Sequence, residues 1–141
     1  QKLRLVEKVR DRFGHDNLKG KRFGVWGLSF KPRTDDMREA PSIVIVNSLI
    51  EYGAEVIAYD PEAETSAQRI FGDKINLVKR SYDVLDGADA LIVITEWNEF
   101  REPDFDRMRK LMRNPIIFDG RNLFSVEQMQ AQGFEYISIG R

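Results

Sequence analysis

Residues 23–59 read FGVWGLSFKPRTDDMREAPSIVIVNSLIEYGAEVIAY, and this stretch decides the fold. Its opening apolar run, FGVWGL, is typical of a short buried strand that ends near a glycine. Pro41 suits the first turn of a helix that continues to about residue 52, and Gly53 suits the end of that helix. The core of this segment is rich in β-branched residues that would also suit a strand, but a clearer strand follows at 55–59. The stretch therefore predicts a strand, a long charged loop, a helix and a second strand.

The same alternation continues along the chain on both sides of this stretch. Further helices are predicted at 1–13, 62–71, 82–85, 104–112 and 126–132, and further strands at 75–78, 90–94, 116–118 and 136–139. Short apolar strands that alternate with helices imply a parallel sheet buried on both faces. The expected fold class is α/β, a Rossmann-like three-layer sandwich with a mostly parallel sheet and helices on both faces. No internal repeat or linker divides the sequence.

Size and composition suit one globular domain. The chain has 141 residues, of which 42% are hydrophobic, and a formal net charge of -1, which argues against binding to a nucleic-acid backbone. No apolar stretch is long enough to cross a bilayer, and no signal peptide opens the sequence. There is no cysteine, hence no disulfide or thiol nucleophile, and no cluster has metal-ligand spacing. We expect a cytoplasmic protein with no nucleic-acid, membrane or metal partner.

The residues that follow each strand are the candidate binding residues, because ligands bind at the carboxyl ends of the strands in such sheets. Lys31 follows the first strand and Arg121 follows the fifth, so that two cations from separate strand ends could converge on one ligand. Guanidinium and ammonium groups match phosphate oxygens well. The sequence therefore indicates a site for an anion, with phosphate as the natural candidate.

The usual dinucleotide-binding turn is absent from the first strand. Gly27 is followed by Leu28 and Ser29 rather than by the remaining glycines of a G-x-G-x-x-G turn. Asp60, after the second strand, imitates the acidic residue that holds an NAD ribose, but that signal is weak without the glycine turn. Asp60 and Pro61 are interpreted as a turn. We expect a Rossmann-like fold whose NAD site lies elsewhere.

Four segments are similar, in order and spacing, to the signature of the UDP-glucose/GDP-mannose dehydrogenase family. They are residues 27–42 (GLSFKPRTDDMREAPS), 59–61 (YDP), 95–100 (TEWNEF) and 118–123 (FDGRNL). The TEW segment and the ending GFEYISIGR look most like the bacterial UDP-glucose branch of this family. The resemblance covers 18–141 as the UDP-sugar-binding domain. Residues 1–17 resemble the end of the long central helix that joins the family's two domains.

This resemblance implies an activity and a set of partners. The family's UDP-glucose branch oxidises the C6 alcohol of UDP-glucose to the carboxylate of UDP-glucuronate in two steps, with two NAD, through a thioester on a cysteine. In the family the amino-terminal domain holds NAD, the carboxy-terminal domain holds the nucleotide of the sugar, and the central helix helps to build a homodimer. The implied partners are therefore UDP-glucose, UDP-glucuronate, NAD, the protein's own amino-terminal NAD domain and a second copy.

The resemblance also assigns roles to single residues. Phe30 and Lys31 match positions that line the substrate, with Lys31 near the sugar or phosphate, and Arg121 matches a substrate-binding arginine. Arg38 matches a residue that reaches toward NAD. The family's catalytic cysteine, and the lysine and asparagine near it, match nothing here. The chain alone is expected to bind and not to turn over.

Each assignment has a plainer alternative. Lys31 and Arg121 could be solvated surface cations, and Arg38 could pair with Asp35 or Asp36 and hold the loop. The two aspartates suit bracing of the loop better than acid–base chemistry. A second set of residues is expected to be structural rather than functional: Trp97, Phe100 and His15.

Other protein classes and other substrates remain alternatives. A phosphoacceptor receiver domain also has a parallel sheet, but the acidic pair here lies too far along the loop and the third strand does not end in a phosphorylatable aspartate. A binding or regulatory module that kept the nucleotide-sugar pocket and lost catalysis is a further alternative. Within the family, the substrate could instead be GDP-mannose or UDP-N-acetylmannosamine.

Overall fold

The computed structural model describes residues 2–139. Gln1 of the predicted first helix, and the last two residues of the predicted 18–141 domain, lie outside the described residues. The helices are α1 (Lys2–Phe13), α2 (Pro41–Glu51), α3 (Glu64–Phe71), α4 (Phe105–Leu111) and α5 (Val126–Ala131). The strands are β1 (Arg22–Trp26), β2 (Glu55–Tyr59), β3 (Asn76–Leu77), β4 (Ala90–Val93), β5 (Ile116–Asp119) and β6 (Glu135–Ser138). Single 3₁₀ turns form at Gly72–Lys74, Ser81–Val84 and Asn98–Phe100.

The six strands form one sheet in the order β3-β2-β1-β4-β5-β6, and every pair of neighbours is parallel. This confirms the predicted Rossmann-like α/β fold, with a sheet that is wholly parallel in the described chain. The strand order reverses between β1 and β4, where Trp26 lies beside Val93. In an open parallel sheet the crevice at such a reversal is the usual ligand position. The fold thus places the ends of β1 and β4 at the centre of a candidate site.

Two separate cores cover the two faces of the sheet. On β1, Phe23 and Val25 belong to the core shared with α1, α2 and α3. Trp26 belongs to the opposite core, which α4 and α5 complete with side chains such as Met108 and Met129. The alternation follows from the two-residue period of side chains along a strand. The predicted three layers, with helices on both faces, are confirmed.

The first two helices pack against each other on one face of the sheet. Helix α1 buries Leu5, Val6 and Val9 in the same core as α2. Helix α2 begins at Pro41, as predicted, because proline at the first helical position has no N–H that would lack a partner. Ser42, one residue later, donates its hydroxyl to the carbonyl of Leu28 at 2.6 Å and so joins α2 to the end of β1.

Two predicted helices differ from those in the structure. Helix α3 begins at Glu64 rather than at 62, because the N–H groups of Glu62 and Ala63 bond to the side chain of Asp60 and form a turn first. The helix predicted at 82–85 is the 3₁₀ turn Ser81–Val84. This segment is too short for an α-helix, because a turn with positive φ at Gly87 follows closely.

Candidate functional site

Asp60, directly after β2, connects the ends of three strands. One of its carboxylate oxygens accepts the backbone N–H of Leu28 at 2.7 Å, the N–H of Ser29 at 3.0 Å and the indole N–H of Trp97 at 3.3 Å. The other oxygen accepts the two N–H groups of the turn before α3. Asp60 is buried, at 5% exposure. Its carboxylate therefore fixes the segments after β1 and β4 relative to β2.

Asp60 also binds the N–H groups that, in a sheet with a glycine-rich turn, would face a dinucleotide. In a dinucleotide-binding sheet the amides after the first strand face the pyrophosphate. The amides of Leu28 and Ser29 instead bond to the carboxylate of Asp60. These two N–H groups are therefore already hydrogen-bonded within the protein. A ligand at the carboxyl ends of the strands has to be bound by other groups.

The segments after β1 and β4 lie in direct contact at the reversal of strand order. Gly27 has a φ of +93°, and a Cβ added there would lie 2.6 Å from the backbone nitrogen of Thr95. Thr95 is buried and donates its hydroxyl to the carbonyl of Ser29 at 2.8 Å. Glycine is required at this point because a side chain would occupy the space of the neighbouring strand end.

The loop between β1 and α2 is held by Asp36. Its carboxylate accepts Nε of Arg38 at 3.1 Å, Nη2 at 3.0 Å and the backbone N–H of the same residue at 2.9 Å. The backbone carbonyl of Asp36 accepts the N–H of Phe30 at 2.7 Å. Arg38 thus makes the loop-bracing pair that the sequence offered as its alternative role, while its side chain stays 90% exposed. A contact with NAD remains a prediction.

The ion pair also determines how Asp36 titrates. Hydrogen bonds from the side chain and then from the backbone of Arg38 lower the pKa of Asp36 to about 2, and the charge of Lys31 contributes. Because this folded-state pKa is depressed, the associated stabilisation is present above the unfolded-state pKa and is lost as pH falls through about 2. Below that pH the carboxyl of Asp36 is neutral, and the ion pair with Arg38 is lost.

Arg38→Ala is expected to raise the pKa of Asp36 only part of the way back to 3.8, because the backbone N–H of residue 38 still donates to the carboxylate. The measurement is an NMR titration of the Asp36 carboxyl carbon. Arg33→Ala, in the same loop, is the control and should leave the pKa unchanged. A pKa that stays near 2 in Arg38→Ala would contradict the role given to the ion pair.

Arg121 is positioned by the turn that follows β5. Its backbone N–H donates to the buried carboxylate of Asp119 at 2.8 Å, and the next residue, Asn122, has a φ of +55°. Its guanidinium bonds to the carboxylate of Glu96 through both Nε and Nη2. The sequence pattern assigns no role to Glu96 on its own. The only signal was an acidic residue at a strand end, between two residues that proved to be buried.

The four predicted binding residues line different depressions. Lys31 lies in a depression of about 740 Å³, together with Arg33, Glu96, Trp97, Glu99 and Arg101. Arg121 lies in a mostly apolar one of about 230 Å³, together with Leu5, Ile45, Ile94 and Ile139. Glu96 joins the two, since it lines the first and binds the arginine of the second. Phe30 and Arg38 lie in two further depressions beside α2 and α3.

The expected structural residues are placed as follows. Trp97 and Phe100 are buried, and Phe100 stacks on Trp26 with ring centroids 4.7 Å apart. His15 is exposed and lies 2.7 Å from the carboxylate of Asp11 beside the end of α1. In residues 2–139, no group of three or more metal-ligating side chains is placed to hold an ion. Nor is any helix in that range long and apolar enough to cross a membrane.

The charged groups at the carboxyl ends of the strands suit the binding of an anion. Lys31, Arg33 and Arg101 contribute positive charge to the large depression, and Arg121 lies beyond Glu96. The sequence supplies no cysteine, and its single histidine lies beside α1. Cations at the carboxyl edge of a parallel sheet fit an anionic ligand such as a phosphate group.

Comparison with known proteins gives a consistent result. The sequence profile of the UDP-glucose/GDP-mannose dehydrogenase family, UDP binding domain, matches residues 24–126. The chain is 41% identical over 141 residues to the UDP-glucose 6-dehydrogenase of Rhizobium meliloti (strain 1021). The alignment covers 100% of this chain and 32% of that relative. The chain thus spans about a third of the length of the curated relatives that it matches.

Solved structures agree with the sequence comparison. A UDP-glucose dehydrogenase from the hyperthermophilic archaeon Pyrobaculum islandicum superposes with a TM-score of 0.77 at 30% identity, covering 97% of this chain and 28% of that one. An NDP-N-acetyl-D-galactosaminuronic acid dehydrogenase from Methanosarcina mazei Go1 gives a TM-score of 0.79 at 25% identity, covering 99% of this chain and 28% of that one. These similar proteins are dehydrogenases that are much longer than the present chain.

Proposed function

Since the chain belongs to the UDP-glucose/GDP-mannose dehydrogenase family, as its UDP-binding domain, we propose that it binds the UDP moiety of UDP-glucose. In this proposal the whole protein oxidises UDP-glucose to UDP-glucuronate with NAD. The relatives named as UDP-glucose 6-dehydrogenases, similar over the full length of this chain, support that substrate. GDP-mannose and UDP-N-acetylmannosamine are the alternatives within the family.

The observation that carries this proposal is the link between Lys31 and Arg121. The two cations follow β1 and β5, which are separated by β4 in the sheet. Glu96, after β4, lines the depression of Lys31 and binds the guanidinium of Arg121. A diphosphate has two anionic groups to offer to two such cations. In the proposed complex, Lys31 and Arg121 therefore bind the phosphates. Asp60 holds the loop of Lys31 through the N–H groups of Leu28 and Ser29, and Asp119 holds the turn of Arg121.

Two further residues take proposed roles at the edge of this site. Phe30 is 53% exposed, so that its ring is open to a ligand, and it is proposed to line the substrate. Arg38 is proposed to contact NAD, and its exposed guanidinium is held in a defined position by Asp36. NAD itself is proposed to bind mainly to an amino-terminal domain of the whole protein.

The organisation of the whole protein is part of the same proposal. Residues 1–17 are proposed to be the end of a connecting helix and 18–141 to be the UDP-sugar-binding domain. Helix α1 would then lie between this domain and the NAD domain, while its buried face packs on α2. A homodimer in the cytoplasm is proposed for the full-length enzyme, and the isolated chain is proposed to bind without catalysis.

Calorimetric titration of this chain with UDP, UDP-glucose, GDP-mannose and NAD tests the proposal. The uridine ligands should bind in preference to the others, and Arg121→Ala should weaken their binding about 10- to 100-fold, as expected for lost hydrogen bonds to a charged group. Arg12→Ala is the matched control. Arg12 also makes a two-point ion pair with a glutamate, Glu135. This pair lies at the amino ends of the strands, at the opposite end of the sheet from Arg121.

Two other results of this titration would change the proposal. Preference for GDP-mannose would move the substrate to that branch of the family. Binding of NAD alone, or uridine binding that Arg121→Ala leaves unchanged, would show that the site has been placed wrongly.

A further inference from the structure

We infer that Glu96 is a positioning residue for ligand binding, which holds the guanidinium of Arg121 in the orientation that receives a phosphate. This inference rests on the proposed function of the site. The inference adds a role for the carboxylate of Glu96, which from its charge alone would be expected to repel the ligand.

The ion pair has a defined geometry. Glu96 engages Arg121 side-on, with one carboxylate oxygen on Nε and the other on Nη2. A guanidinium carries five N–H donors, and this pairing uses only one on each of those two nitrogens. The ion pair does not use the two N–H groups of Nη1 or the second N–H of Nη2. Glu96 therefore orients the guanidinium without using the donors that a phosphate would need.

The exposure of the two side chains agrees with a role of Glu96 in positioning Arg121. The side chain of Glu96 is 23% exposed and that of Arg121 is 50% exposed. The carboxylate is thus the inner partner, and the guanidinium is the one that solvent or a ligand reaches. If Glu96 instead took the place of an absent ligand, the carboxylate would be expected to lie on the outer side of the arginine.

Glu96 is itself held by its neighbours on both sides. Thr95 is 2% exposed and donates to Ser29, while Trp97 is 8% exposed and donates to Asp60. The N–H of Trp97 also donates to the carbonyl of Thr95 at 3.1 Å, which closes a tight turn around Glu96. The carboxylate therefore projects from a backbone with little freedom.

The backbone of Arg121 is fixed in the same way from the other side. Asp119 is fully buried, and it accepts N–H groups from Arg121 and Leu123 together with the hydroxyl of Tyr136. The N–H of Gly120 donates to the carbonyl of Val93 in the neighbouring strand. With both backbones fixed, the ion pair removes the remaining freedom of a long side chain before the ligand arrives. Ordering that side chain in advance lowers the entropic cost of binding.

The charge of Glu96 is offset locally. The depression that it lines contains three cations and one further carboxylate: Lys31, Arg33, Arg101 and Glu99. A phosphate group in this depression therefore meets more positive than negative side chains even with Glu96 ionised. We expect the gain from orientation to exceed the loss from repulsion.

The test is calorimetric titration of UDP into this chain and into its Glu96→Gln variant. Glutamine keeps the length of the side chain but loses the charge and the symmetric pair of acceptors. UDP should bind about 5-fold more weakly, which corresponds to the renewed cost of ordering one long side chain. If Glu96 only repelled the ligand, the same substitution would tighten binding.

A double-mutant cycle separates positioning from a general structural effect. In the Arg121→Ala background, Glu96→Gln should no longer weaken UDP binding and should leave it unchanged or tighten it, because the group that Glu96 positions is gone and only its repulsion of the phosphate is removed. Glu135→Gln is the matched control. It breaks a similar two-point ion pair, with Arg12, at the opposite end of the sheet, and should leave UDP affinity unchanged.

Failure of this inference and failure of the proposed site give different results. If Arg121→Ala weakens UDP binding while Glu96→Gln binds UDP as tightly as the unmodified chain or more tightly, the role of Glu96 is overturned and the site stands. If the unmodified chain does not bind UDP, or Arg121→Ala binds it equally well, the proposed site fails and the role of Glu96 fails with it.

Discussion

Asp60→Asn is expected to lower the free energy of unfolding by about 3–5 kcal/mol, although the two side chains have nearly the same size. Both carboxylate oxygens of Asp60 accept N–H groups, among them those of Leu28 and Ala63. An amide has only one acceptor oxygen, and its NH₂ group would face N–H donors in either orientation. Several buried donors would lose their partner at once.

Urea denaturation followed by circular dichroism measures this effect, since a domain of this size is expected to unfold in one step. Asp73→Asn makes the same chemical change at an exposed position in the turn after α3, and should change stability by less than about 0.5 kcal/mol. A similarly small effect of Asp60→Asn would mean that the carboxylate does not hold the strand ends together.

The periodicity of the sequence carried enough information to predict the fold. Strand β4, with the sequence ALIV, is buried at all four positions, as a strand covered on both faces must be. The alternation of such runs with helices led directly to the parallel sheet. The prediction was weakest where one local interaction decides the backbone, as at Glu62 and Ala63, whose N–H groups bond to Asp60 instead of starting a helix.

The candidate site was less predictable, because its decisive contacts join residues that are distant in the sequence. The pair of Arg38 with Asp36 spans two residues and was foreseen as an alternative. The pair of Arg121 with Glu96 spans 25 residues, and only the packed sheet brings its members together. For the same reason the sequence predicts only a turn at Asp60 and Pro61. No local pattern shows that its carboxylate reaches the amide of Leu28, 32 residues earlier.

Gly27→Ala is expected to destabilise the domain by about 3–5 kcal/mol, from two costs that act together. At a φ of +93° any side chain strains the backbone, and the new methyl group would lie only 2.5 Å from Cβ and 2.6 Å from the backbone nitrogen of Thr95. The backbone of a buried strand end cannot move aside as the tip of a long side chain can. Urea denaturation of the variant measures the sum of the two costs.

Gly20→Ala separates the strain from the collision. Gly20 has a φ of +82°, close to that of Gly27, but nothing lies within 4 Å of the added Cβ. Its substitution should therefore cost only the about 1–2 kcal/mol of an unfavourable backbone conformation. Equal losses in the two variants would show that the contact with Thr95 contributes nothing. A larger loss at Gly27, together with weaker UDP binding, would show that this contact sets both the packing of the sheet and the position of Glu96, because the displaced Thr95 immediately precedes that residue.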